Sequence, residues 1–77
     1  MKREIIKILK ILGVGCTEVL INIELKSFLI NSIELLNNDK IVLHVFVEDY
    51  DIEVDFDDVD DLEKITIYQT LTSFLYN

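Results

Sequence analysis

Proline and tryptophan are absent from this 77-residue chain, which has only two glycines and one cysteine. Without proline, no residue has its φ locked and no hydrogen-bonded ladder loses a donor. Element boundaries must then be set by caps and turn chemistry. A single cysteine excludes an internal disulfide framework and makes a reducing compartment the natural setting. Cations are also scarce: seven lysines and arginines stand against fifteen acids, for a net charge of −8 and a pI near 4.3. That is the wrong sign for nucleic acid, whose affinity comes from neutralising phosphates. No long hydrophobic run is present. The apolar stretch after Met1-Lys2-Arg3-Glu4 is broken by Lys7 and Lys10, which fits neither a signal-peptide core nor a membrane span. The expectation is a cytoplasmic protein with no membrane insertion.

What the chain does have is apolar content, 51% by composition, enough for one small domain over residues 1–77. Charge is unevenly placed. Lys2, Arg3, Lys7 and Lys10 supply four of the seven cations, and ten of the fifteen acids lie between Glu48 and Glu63. Such a field steers basic partners, or simply keeps a very apolar protein soluble. Ile5, Ile8, Leu9 and Leu12 recur at helical spacing and predict a helix over 3–12, ended near Gly13 and Gly15. Residues 13–31 read as a long structured connection, with Val19, Leu20, Ile21, Ile23, Leu25 and Phe28 packed onto the core. Lys40 to Phe56 fits two templates. By propensity it is a hairpin turning at Glu48-Asp49-Tyr50-Asp51; by periodicity Leu35, Leu36, Val42, Leu43, Phe46, Val47 and Tyr50 form a helical stripe. Residues 55–64 read as an acidic loop or short helical turn. A last helix follows, with Thr66 as N-cap and Ile67, Thr70, Leu71, Phe74 and Leu75 at helical spacing.

Three islands carry a family likeness. They are Leu12-Gly13-Val14-Gly15-Cys16-Thr17-Glu18-Val19, then Ser27-Phe28-Leu29-Ile30-Asn31-Ser32-Ile33, and Val47 to Val54 followed by Glu63-Lys64-Ile65-Thr66. In order and spacing they resemble an acyl carrier protein, the small acidic carrier of fatty-acid, polyketide and peptide synthesis. The resemblance implies an all-α four-helix bundle, with helices near 2–13, 32–50, 57–62 and 66–76 and a long loop between the first two. It places Ser32 at the start of the second helix, where free backbone N–H groups favour a phosphate. There Ser32 would bear 4′-phosphopantetheine, derived from coenzyme A, and carry an acyl or aminoacyl thioester. Glu34, Asp39, Ile41, Val45, Glu48 and Asp49 would then be recognition residues. The implied partners are a phosphopantetheinyl transferase and acyl-ligase, ketosynthase or other acyl-transfer enzymes with basic docking patches. The implied carrier is a monomer and not itself an enzyme. Two departures stand out: Asn31 replaces the family's usual aspartate, and the Ser32–Tyr50 interval is about four residues longer, roughly one helical turn.

A second reading keeps the hairpin. It gives a small acidic α+β protein with a hairpin at 41–56, a non-catalytic inhibitor, immunity or adaptor protein that blocks a basic partner by charge complementarity. A third keeps the carrier fold without phosphopantetheine attachment. Other constellations carry less. Cys16 has no basic neighbour and reads as a packing residue. His44 is the only histidine and reads as a satisfied or surface group. Asp55, Asp57, Asp58, Asp60, Asp61 and Glu63 lack the central glycine of a calcium loop, and no dedicated metal site is expected. Phe46, Tyr50, Tyr68 and Phe74 read as core aromatics.

Overall fold

The β-branched run Ile41-Val42-Leu43-His44-Val45-Phe46-Val47 and the alternating Asp51-Ile52-Glu53-Val54-Asp55 follow the period-two rule, and the backbone obeys it. A computed structural model describes residues 1–13 and 18–76. Helix α1 (Lys2–Leu12) leads into strands β1 (Glu18–Glu24), β2 (Leu29–Leu35), β3 (Ile41–Val47) and β4 (Tyr50–Asp55). A 3-10 turn at Phe56–Asp58 and helix α2 (Asp61–Tyr76) complete the described chain. The strands form one sheet in the order β1-β2-β3-β4, each antiparallel to its neighbour.

This corrects the all-α expectation. There is no four-helix bundle: the predicted helix over 32–50 is the end of β2, a turn, β3 and the start of its hairpin with β4. Much of the predicted long loop is β1 and the first part of β2, and the expected helix at 57–62 is reduced to the 3-10 turn and the first residues of α2. The hairpin alternative describes this region, but with a tighter turn than expected: Glu48 and Asp49 make it, and Tyr50 and Asp51 already belong to β4. Strand wins over helix because Ile41, Leu43 and Val45 all reach the buried face only at a period of two, and the core needs all three.

The core lies between one sheet face and the two helices. Ile21, Ile23, Ile30, Ile33, Ile41, Leu43 and Val45 meet Ile5, Ile8 and Leu9 of α1 and Ile67 and Leu71 of α2, with Phe56 and Val59 closing one end. Among the residues expected inside, Leu20 is instead 86% exposed. Phe46, Tyr50 and Phe74 are also exposed, and Tyr68 alone of the four predicted core aromatics packs against the core. The buried aromatic is Phe56.

Local chemistry sets the boundaries that proline does not. The N-terminal ammonium pairs with Glu4 at 2.9 Å in the first turn of α1, and the Gly13 N–H donates to the Leu9 carbonyl at its end. Helix α2 begins at Asp61, five residues before the expected Thr66 cap, because Asp60 Oδ1 accepts the Glu63 N–H at 2.8 Å. Thr66 instead lies inside the helix and donates to the Leu62 carbonyl at 3.2 Å. The β3–β4 turn has Glu48 at φ 50 and Asp49 at φ 70, the two left-handed residues of a type I′ hairpin. In the β2–β3 turn, Asp39 takes φ 63 while its N–H donates to the Leu36 carbonyl.

A bulge in β2 decides which of its side chains reach each face of the sheet. Ile30 pairs with Val45 and Ser32 with His44, so Asn31 is an extra residue opposite β3. The bulge lets Ile30 point into the core and Ser32 point to the other side. Strand β1 has a compensating slip between Leu20 and Ile23.

Candidate functional site

The helices cover one face of the sheet; the opposite face is where chemistry-bearing side chains collect. Four strands contribute to it. Glu18 and Leu20 come from β1, Ser32 and Glu34 from β2, Val42, His44 and Phe46 from β3, and Asp51, Glu53 and Asp55 from β4. The register brings them together directly: Glu18 lies opposite Glu34, Leu20 opposite Ser32, Ser32 opposite His44, and His44 opposite Glu53.

His44 is the centre of this face. Its side chain is only 15% exposed, and its Nε2 lies 3.0 Å from Glu34 Oε1 and 3.8 Å from Glu18 Oε2. The Ser32 hydroxyl donates to Glu18 Oε2, fixing that carboxylate beside the ring. One ligand atom from each of Glu34, His44 and Glu53 lies within 4.8 Å of the others. Burial pulls the His44 pKa down. The hydrogen bond to Glu34 and the charges of Glu18, Glu34 and Glu53 outweigh it, and the pKa rises from its ordinary value of 6.5. Among the described residues no lysine or arginine pairs with Glu18, Glu34 or Glu53; Lys2, Lys10 and Lys40 pair with Asp57, Asp39 and Asp55 instead.

The residues expected to form a carrier site do not assemble. Ser32 is in the middle of β2, 3% exposed and bonded to Glu18. No helix N-terminus lies behind it, so the field that favoured a phosphate ester on its hydroxyl is missing. Ile41 and Val45, expected as exposed apolar contacts, are each 1% exposed and belong to the core. Asp39 occupies the β2–β3 turn, 4.0 Å from Lys10, and Glu48 and Asp49 make the hairpin turn. Of the seven, only Ser32 and Glu34 share a site, as parts of the His44 cluster. Cys16 lies outside the described residues. Two acids of the 55–63 stretch have plain structural roles: Asp55 accepts the Asp57 N–H at 3.0 Å and Asp60 caps α2. That backbone hydrogen bond is the main reason the Asp55 pKa is lowered.

Sequence reasoning missed Glu18, His44 and Glu53 as a group. A signal existed for two of them. Once the hairpin turns at Glu48-Asp49, Val47 faces Tyr50, and counting back three on each strand sets His44 opposite Glu53. Glu34 needed the β2–β3 register, and Glu18 needed the position of β1, neither of which a local pattern supplies.

No protein-family model, curated protein or solved structure matches the chain. No helix among the described residues is long and apolar enough to cross a membrane.

Proposed function

We propose that the chain is a small non-catalytic binding protein whose acidic sheet face engages a basic patch on a partner protein, as an inhibitor or adaptor does. The observation that carries this reading is the one-sided coverage of the sheet. With α1 and α2 on one face, the other displays Glu18, Glu34, Asp51 and Glu53 around exposed Leu20, Leu29 and Phe46. Apolar contacts ringed by charge of one sign suit a complementary protein surface: the charge speeds encounter and sets orientation, and the apolar groups hold the complex. The net charge of −8 adds long-range attraction for a cationic partner, which salt screens. Carboxylates on β4 also protect an edge strand from pairing with other sheets, which favours recognition by side chains over strand addition.

The test is a nuclear magnetic resonance titration of the isotope-labelled chain with an arginine-rich peptide as the basic probe. Amide shifts should gather at Leu20, Ser32, His44, Phe46 and Glu53, and binding should weaken steeply with added salt. The Glu18→Gln/Glu53→Gln double variant should bind more weakly. Shifts confined to Asp57–Glu63, or affinity unchanged in the double variant, would overturn the reading.

A further inference from the structure

We propose that Glu34, His44 and Glu53, with Glu18 on the remaining side, bind one divalent transition-metal ion. The inference is independent of the docking reading, since an ion can bind whether or not a partner covers this face. It starts from an electrostatic arrangement that the fold does not need. Glu18 and Glu34 are direct cross-strand partners, and like charges in that position destabilise a sheet. A third carboxylate, Glu53, reaches the same point from β4. Elsewhere Asp57, Asp39 and Asp55 lie beside Lys2, Lys10 and Lys40. Here three carboxylates converge on a single imidazole.

The donor set selects the ion. One imidazole nitrogen with carboxylate oxygens and no thiolate suits Zn²⁺ and its first-row neighbours, whereas Mg²⁺ and Ca²⁺ take oxygen ligands alone. The spacing is close to what an ion requires. Donor atoms within 4.8 Å of one another need only small side-chain rotations to reach the roughly 3.3–3.6 Å separations of a tetrahedral site. The ion would take the Nε2 lone pair of His44 in place of the proton shared with Glu34. The Ser32 hydroxyl, already bonded to Glu18, would orient that carboxylate from behind, as outer hydrogen bonds do at metal centres. All four side chains stand on paired strands, so the sheet holds their separation before the ion arrives.

Isothermal titration of the untagged full chain with ZnCl₂ tests this, with MgCl₂ as the contrast. The expected result is one Zn²⁺ per chain, no comparable Mg²⁺ binding, and affinity reduced at least about tenfold in His44→Gln and in Glu53→Gln. The Asp57→Asn/Asp58→Asn double variant should bind as wild type. Zn²⁺ affinity that survives in a folded His44→Gln, or that is lost in the Asp57/Asp58 variant, would overturn the site. Should His44→Gln fail to fold, Co²⁺ added to the wild-type chain decides. Paramagnetic shifts centred on Glu34, His44 and Glu53 support the site, and shifts centred on Asp57–Glu63 overturn it.

Discussion

His44 and Val45 are neighbours in β3, yet they belong to two different surfaces. Val45 faces Ile30 and Ile52 across the sheet and is buried against the helices; His44 faces Ser32 and Glu53 on the uncovered side. The inner face is built from bulk: among the described residues nine of the side chains that build the core are almost fully enclosed, Ile30, Ile33, Leu43 and Val45 among them. Several residues there share each contact, so the fold is over-determined. The outer face is built from charge and polar hydrogen bonds, with Leu20, Leu29 and Phe46 left in water and Val42 alone of its apolar side chains buried. A surface that contributes little to folding is free to serve binding, and it is where mutations separate function from stability.

The sharpest way to break that comparison is to shorten one apolar side chain on each face. Leu43→Ala should cost about 2–5 kcal/mol in urea unfolding, because the enclosed site cannot collapse around the lost methyl groups. Leu20→Ser, on the other face at 86% exposure, should stay within about 0.5 kcal/mol of wild type while weakening peptide binding. Equal losses at the two positions would mean that the outer face is part of the core.

A smaller effect sharpens the link between the turn and the site. Glu48 and Asp49 both hold left-handed φ angles, which suit asparagine and glycine better than glutamate. Replacing them as Glu48→Asn/Asp49→Gly should raise stability by about 1 kcal/mol in the same measurement. The turn also fixes the register that sets His44 against Glu53. The substitution should therefore leave Zn²⁺ affinity unchanged, and a loss of affinity would show that the turn's acids take part in the site.

How legible these surfaces were differs in the same way. Helix α1 is readable because Ile5, Ile8 and Leu9 repeat at helical spacing and that face is the one buried. The last helix was readable in its interior but not at its start, since Asp60 competes with Thr66 as a cap and only the backbone path decides. The segment Lys40–Phe56 satisfied both periods locally. The choice came from what the inner face needs, which is tertiary information. The carrier resemblance rested on three islands in order and spacing, and its site on Ser32 opening a helix; Ser32 instead pairs with His44 inside a strand, next to a bulge at Asn31 that leaves no propensity signature. The site was the least legible part. Its contacts join Ser32 to Glu18 and His44 to Glu34, residues fourteen and ten apart in sequence, from strands whose pairing had to be known first.

The outer face should also reveal itself through pH, by a modest effect because burial opposes the carboxylates around His44. The pKa of His44 is raised in the folded chain, so the folded state holds that proton more tightly than the unfolded state does. Its stabilising contribution is then fully present below the unfolded value near 6.5 and is lost as pH rises through the folded value. Glu4 and Asp55, whose pKa values are lowered from 4.5 and 3.8, act with the opposite sign and only in more acid solution. Urea midpoints measured with a chelator present, from about pH 6 to about pH 8, should fall for the wild type and stay nearly level for His44→Gln. Parallel profiles would show that the imidazole gains nothing from Glu18, Glu34 and Glu53. A wild-type midpoint that rises with pH relative to His44→Gln would show that burial, and not the surrounding carboxylates, governs the proton on His44.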